Sequence, residues 1–138
     1  MNNNNTLQKY TDRIGDSGES GTGSDADGTE NLGAFGYLRG TRDRAEMLEL
    51  RRKSGNIRAI GYGWIEKVDF DPSTGITFYF GGGQTIRIKG RNLNATSREQ
   101  IGLLGGVLRH RVPWIVESDQ SGMLQADKGA VVVEAIEW

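Results

Sequence analysis

The stretch Ile76-Thr77-Phe78-Tyr79-Phe80-Gly81-Gly82-Gly83-Gln84-Thr85-Ile86-Arg87-Ile88-Lys89 decides how this chain folds. Ile76, Phe78 and Phe80 alternate with Thr77 and Tyr79, and Ile86 and Ile88 alternate with Arg87 and Lys89. A period of two sends the apolar set to one face of a sheet and the polar set to the other. The glycines between the two runs can take the positive φ that a tight turn needs. Just upstream, Asp71-Pro72-Ser73-Thr74-Gly75 has the same turn chemistry. Before it, Trp64 to Phe70 alternates again, with Trp64, Val68 and Phe70 expected inward and Lys67 and Asp69 outward. Three strands with two tight turns predict an antiparallel meander with one solvated face.

Outward from the meander, the pattern predicts two helices. The first runs from a Thr41 cap through Ala45, Met47, Leu48 and Leu50 to Arg51-Arg52-Lys53, with Gly55 as its stop. Arg42/Glu46 and Glu49/Lys53 would be its i,i+4 ion pairs. The second opens on a capping box at Thr96/Glu99 or Ser97/Gln100, carries Ile101, Leu104, Val107 and Leu108 on one stripe, and stops before Pro113. Ile57–Ile60, Trp114–Val116 and Ala130–Ile136 read as further strands, and 123–129 as a loop. The expected class is α+β: a small antiparallel meander, partly barrelled, with one helix preceding it and one helix packed on it.

Residues 1–31 read differently. Asn2 to Asn5 form a homopolymer run, and 16–28 contain one small apolar residue, Ala26. Such a segment cannot offset an ordering cost of roughly 1–2 kcal/mol per residue. A disordered, acidic, Gly/Ser/Asp/Asn-rich tail over 1–31 and a single domain over 32–138 are therefore expected. Leu32 to Leu38 forms a short apolar patch, to be laid on the domain surface or used as a peptide motif.

Composition excludes several chemistries. The 138 residues contain no Cys and one His, so disulfides, thiolate nucleophiles and Cys-ligated metals are out. No cofactor or metal is expected. No apolar run is long enough to span a bilayer, and the Asn-rich start is unlike a signal peptide. These features lead to the expectation of a cytoplasmic protein with no membrane partner. The net charge of −1 hides a layout in which residues 41–112 carry thirteen basic against seven acidic side chains and both flanks are acidic.

That basic middle supplies the candidate site. Lys67, Tyr79, Arg87 and Lys89 fall on the expected solvated face, Arg91 follows directly, and Arg109 and Arg111 close the second helix. Cations around an aromatic side chain suit a phosphate backbone with a base stacked on Tyr79. Ordinary cross-strand pairing with Glu66 or Asp69 would use the same residues structurally. Ile88-Lys89-Gly90-Arg91-Asn92-Leu93 resembles the short second motif of Sm-like RNA-binding proteins, over six residues. The acidic-and-Asn first motif of that family is not seen around Ile65 to Gly75, and the helix predicted at 97–111 falls where its barrel closes, so its function is not carried over.

No catalytic constellation stands out. Glu66, Asp69 and Asp71 are the paired-carboxylate candidates, and His110 stands between two arginines without an orienting acid. The sequence does not name a function. The expectation is a small non-enzymatic binding module, with nucleic acid as ligand of the basic section. A protein–protein adaptor or self-assembling subunit is the alternative, resting on Leu32–Leu38, the glycines of the second helix and the Val131–Ile136 strand as a sheet edge.

Overall fold

The computed structural model describes residues 28–97, 99–126 and 128–138. It is mostly β. Its strands are β1 (Thr29–Asn31), β2 (Gly36–Leu38), β3 (Met47–Arg51), β4 (Ile57–Gly61), β5 (Ile65–Asp71), β6 (Gly75–Phe80), β7 (Thr85–Arg91), β8 (Trp114–Val116) and β9 (Val132–Glu137). Two short helices, α1 (Leu103–Leu108) and α2 (Gln120–Gln125), and two 3-10 turns, Tyr62–Trp64 and Gly81–Gly83, complete the described elements. The strands form a β1-β2 pair, a sheet of order β4-β3-β8 and a sheet of order β5-β6-β7-β9. All pairings are antiparallel except β3 with β8. No helix among the described residues is long and apolar enough to cross a membrane.

The meander forms as its alternation predicts. Ile76, Phe78, Ile86 and Ile88 are buried on the inner face of β6 and β7, in register Ile76↔Ile88 and Phe78↔Ile86. The β5–β6 turn is fastened by Asp71, whose carboxylate accepts hydrogen bonds from the Ser73 N–H (2.7 Å) and hydroxyl (2.6 Å). Gly75 follows at φ +99°, and a Cβ there would sit 2.0 Å from the Ile88 carbonyl oxygen, so only glycine fits. Leu48, Leu50 and Ile115 from the second sheet, Leu103 and Val107 from α1, and Phe35 from the N-terminal segment close one shared core. Each such side chain contributes about 1.5–3 kcal/mol when fully buried.

Several expectations are corrected. The helix predicted over 41–53 is absent; residues 47–51 are the central strand β3. Leu48 and Leu50, two apart, are both fully buried, while Met47, Glu49 and Arg51 face the other way. A two-residue period was read there as a helical stripe, and the pairing of Glu49 is with Arg51 on its own strand face rather than with Lys53. The second helix is only α1. The Ser97 hydroxyl accepts from the N–H groups of Glu99 and Ile101 and shapes a loop instead of a cap. A Cβ at Gly102 would lie 2.3 Å from the Ala95 carbonyl oxygen, which holds that loop close. The far end stops at Leu108 because His110 adopts φ +59° and the Arg111 N–H returns to the Gly106 carbonyl (2.7 Å), a Schellman-type stop.

Two further corrections concern exposure. Trp64, expected inward, is 77% exposed on the 3-10 turn Tyr62–Trp64. A β-bulge between Ile65 and Lys67 shifts the alternation there, so Ile65 packs against the core instead. The Leu32–Leu38 patch is not a surface segment: Ala34 to Leu38 are buried, and Phe35 bridges to Ile115 in β8. Within the segment read as a loop over 123–129, residues up to Gln125 belong to α2, which is capped by the Asp119 carboxylate at Gly122 N–H (2.7 Å). Of the tail expected over 1–31, residues 1–27 lie outside the described residues, and Thr29–Asn31 form β1 against β2.

Candidate functional site

The basic residues singled out from the sequence occupy two places. Lys67, Tyr79, Arg87 and Lys89 share the outer face of the β5-β6-β7-β9 sheet, through the registers Lys67↔Tyr79, Thr77↔Arg87 and Lys89↔Ala135. Asp69 and Glu137 are interleaved on the same face. Lys67 Nζ lies 3.9 Å from an Asp69 oxygen and 4.4 Å from the centre of the Tyr79 ring. Lys89 Nζ lies 3.4 Å from a Glu137 oxygen, and Arg91 Nε 3.4 Å from a Glu134 oxygen. Arg87 Nε donates to the Thr77 hydroxyl (3.3 Å), which leaves outward-facing Thr77 only 5% exposed. Arg109 and Arg111 belong to the turn after α1. Arg111 is committed to backbone: its guanidinium donates to the carbonyls of Leu38, Gly40 and Thr41 at 2.7–2.8 Å. Arg109 reaches the Gly105 carbonyl at 3.5 Å.

A different surface gathers apolar and aromatic groups. A cleft of about 920 Å³ lies between β4 and the β6–β7 hairpin. Arg58, Ala59, Ile60, Gly61, Met47 and Trp64 line one side. Phe80, Gln84, Thr85, Ile86 and Trp138 line the other. The Trp138 ring lies under two guanidinium groups, Arg52 at 3.5 Å and Arg58 at 4.9 Å from its centre. Arg52 also donates to the carbonyls of Ile136 (3.1 Å) and Trp138 (3.2 Å). The Glu117 carboxylate accepts the Ile136 N–H at 2.6 Å. These side chains cover the outer edge of β9, the edge that the sequence offered for self-assembly. The glycines of α1 are used inside the fold as well: a Cβ at Gly106 would meet Val112 at 2.7 Å.

Strand β4 borders this cleft and ends its sheet. In an antiparallel ladder, hydrogen-bonded and non-hydrogen-bonded pairs alternate. Arg52 N–H donates to the Asn56 carbonyl (2.8 Å) and Tyr62 N–H to the Glu46 carbonyl (2.9 Å). Between those two pairs, Leu50↔Arg58 and Leu48↔Ile60 fall on hydrogen-bonded positions. Ile57, Ala59 and Gly61 therefore turn their N–H and C=O groups away from β3, toward the open edge. The side chains of Ile57 and Ala59 share the outer face with exposed Met47 and, beyond Gly61, with Trp64.

Sequence reasoning missed this constellation. The sequence places Trp64 in the core, Arg52 at a helix end and Ala59 in a short strand without a role, and gives Gly61 no assignment. The small outward residues of a short strand beside an exposed aromatic were the available signal. Tyr62, immediately after β4, donates its hydroxyl to the Val112 carbonyl (2.6 Å), and burial pushes its phenol above its usual pKa. Its ring stacks on His110, centroids 4.5 Å apart. Among the described residues, no group of three or more His, Asp or Glu side chains is placed to hold a metal ion. Comparisons with protein-family models, curated proteins and solved structures find no match to this chain.

Proposed function

We propose that this chain is a non-enzymatic protein-binding module that engages an extended polypeptide segment by adding it as a strand to β4. The supporting observation is the open edge itself: the outward N–H and C=O groups of Ile57, Ala59 and Gly61, set beside an aromatic cleft. Main-chain hydrogen bonds along such an edge supply affinity, and side-chain pockets at alternate positions supply selectivity. The nucleic-acid reading needs Lys67, Lys89 and Arg91 to leave the carboxylates they face. It predicts a steep fall of affinity with salt, about −0.7 in log–log slope per phosphate contact on a single strand.

The test is selection of displayed random short peptides on the folded protein, with Ala59→Pro as the comparison. Proline at residue 59 removes an outward N–H and leaves the β3 ladder intact. Selected peptides are expected to bind the wild type at least about tenfold more tightly than Ala59→Pro, with little salt dependence. Peptides indifferent to Ala59→Pro, or tight salt-sensitive binding of single-stranded oligonucleotides in place of peptides, refute the reading.

A further inference from the structure

We infer that the segment seated on β4 is β4 of a second copy of this chain, paired antiparallel about a two-fold axis at Ala59. This rests on the strand-addition reading above and names its partner. The outward positions of β4 read Ile57, Ala59, Gly61: large, small, none. Turning an identical strand end for end about Ala59 sets Ala59 opposite Ala59 and the second copy's Ile57 opposite Gly61. The Trp64 ring lies over Gly61, where a Cβ would sit 2.9 Å from Trp64 Cδ1 and 3.8 Å from Met47 Sδ, so the incoming isoleucine meets the exposed apolar surface of Trp64 and Met47. Ile57 is itself 59% exposed, Met47 49% and Trp64 77%. The same contact recurs on the other side of the axis, as an isologous interface requires.

Charge selects the same arrangement. The β3–β4 hairpin tip carries Arg52 and Lys53, and the opposite end of the strand pair carries Glu46 beside Tyr62 and Glu66 after Trp64. Antiparallel self-pairing runs the Arg52–Lys53 tip of one copy toward Glu46 and Glu66 of the other, an end that also carries Arg44 and Lys67. The one charged residue of β4, Arg58, faces Ile60 of the second copy rather than its own equivalent, so no like charges stand opposite. The pairs at residues 57, 59 and 61 each exchange two backbone hydrogen bonds, and the β4-β3-β8 sheet continues into its copy.

Sedimentation of the full chain over a wide concentration range tests this. The wild type is expected to pass from one to twice the single-chain mass, and Ala59→Pro and Ala59→Lys to stay single at every concentration while keeping the wild-type circular dichroism. Mixing Ala59→Lys with Ala59→Glu should restore the doubled mass, because only a two-fold axis at this residue brings the two charges together. A wild type that stays single, or an association that survives both Ala59→Pro and Ala59→Lys, overturns the inference. A single-chain wild type that still binds peptides in an Ala59→Pro-sensitive way overturns the inference alone. A single-chain wild type that binds no peptide overturns both readings.

Discussion

Strands β4 and β5 are joined by one 3-10 turn, yet they end their sheets in opposite ways. β5 carries a bulge at its first residues and the charged Glu66, Lys67, Asp69 and Asp71 along its length. Bulges and charges are the usual devices that keep an edge from pairing with another chain. β4 has no bulge and no proline, its outward side chains are uncharged, and its one cation is turned onto Trp138. An edge left unguarded next to a guarded one points to use rather than neglect. Mutations along the two strands can break or sharpen that contrast.

The largest effect is expected where proline faces the ladder. Ile60→Pro removes the N–H that pairs with Leu48 and strands a carbonyl in the sheet. It should cost at least about 2 kcal/mol more than Ile60→Ala in urea unfolding. Ala59→Pro, one residue away, should change stability by only about 0.5 kcal/mol. Equal losses at the two positions would mean that the outward assignment of Ala59 is wrong.

Next in size is the anchor at the end of β4. Tyr62→Phe leaves the Val112 carbonyl without its donor in a site where Tyr62 is only 4% exposed, for a loss of about 1–2 kcal/mol. The raised phenol pKa has a sign that can be checked. The folded chain keeps this proton to higher pH than the unfolded chain, so its stabilising share is intact below the ordinary value of 10.0 and fades as pH rises beyond it. Urea midpoints should fall above that pH in the wild type and fall less in Tyr62→Phe.

Smaller still is the stability change on stripping β5. Lys67→Val combined with Asp69→Val removes an exposed pair 3.9 Å apart, a loss of less than about 1 kcal/mol. The variant should nevertheless gain association at high protein concentration, seen by light scattering, as its edge loses its guards. The smallest effect is at the end of that strand. The Ser73 hydroxyl and N–H hold the Asp71 carboxyl below its ordinary pKa of 3.8. Ser73→Ala should let it rise toward that value in an NMR titration. The associated stabilisation is present above 3.8 and disappears as pH falls through the folded-state value, so the variant should show less of it.

Local pattern reveals most of the meander and little of what surrounds it. β6 and β7 were legible because alternation, glycine turns and burial agree residue by residue. β3 was not, because Leu48 and Leu50 satisfy a two-residue period while Ala45, Met47, Arg51 and Lys53 imitate an amphipathic, dipole-matched helix; pairing with β4 and β8 decides between them. Trp64 was misplaced because a bulge at Glu66 leaves no mark on composition. The cations were found by counting, but Glu134 and Glu137, which face Arg91 and Lys89, come from more than forty residues downstream, so their pairing is a tertiary fact. The open edge of β4 depends on which strand lies on its other side, and no residue of β4 states that.

The exposure of Trp64 makes the molecule its own optical reporter. An indole in water emits at longer wavelength than a covered one and is reached by iodide. Of the three tryptophans, Trp114 is half-buried and Trp138 lies beneath two arginines, so collisional quenching falls mainly on Trp64. A blue shift with loss of quenching therefore reports occupation of the edge without any attached dye.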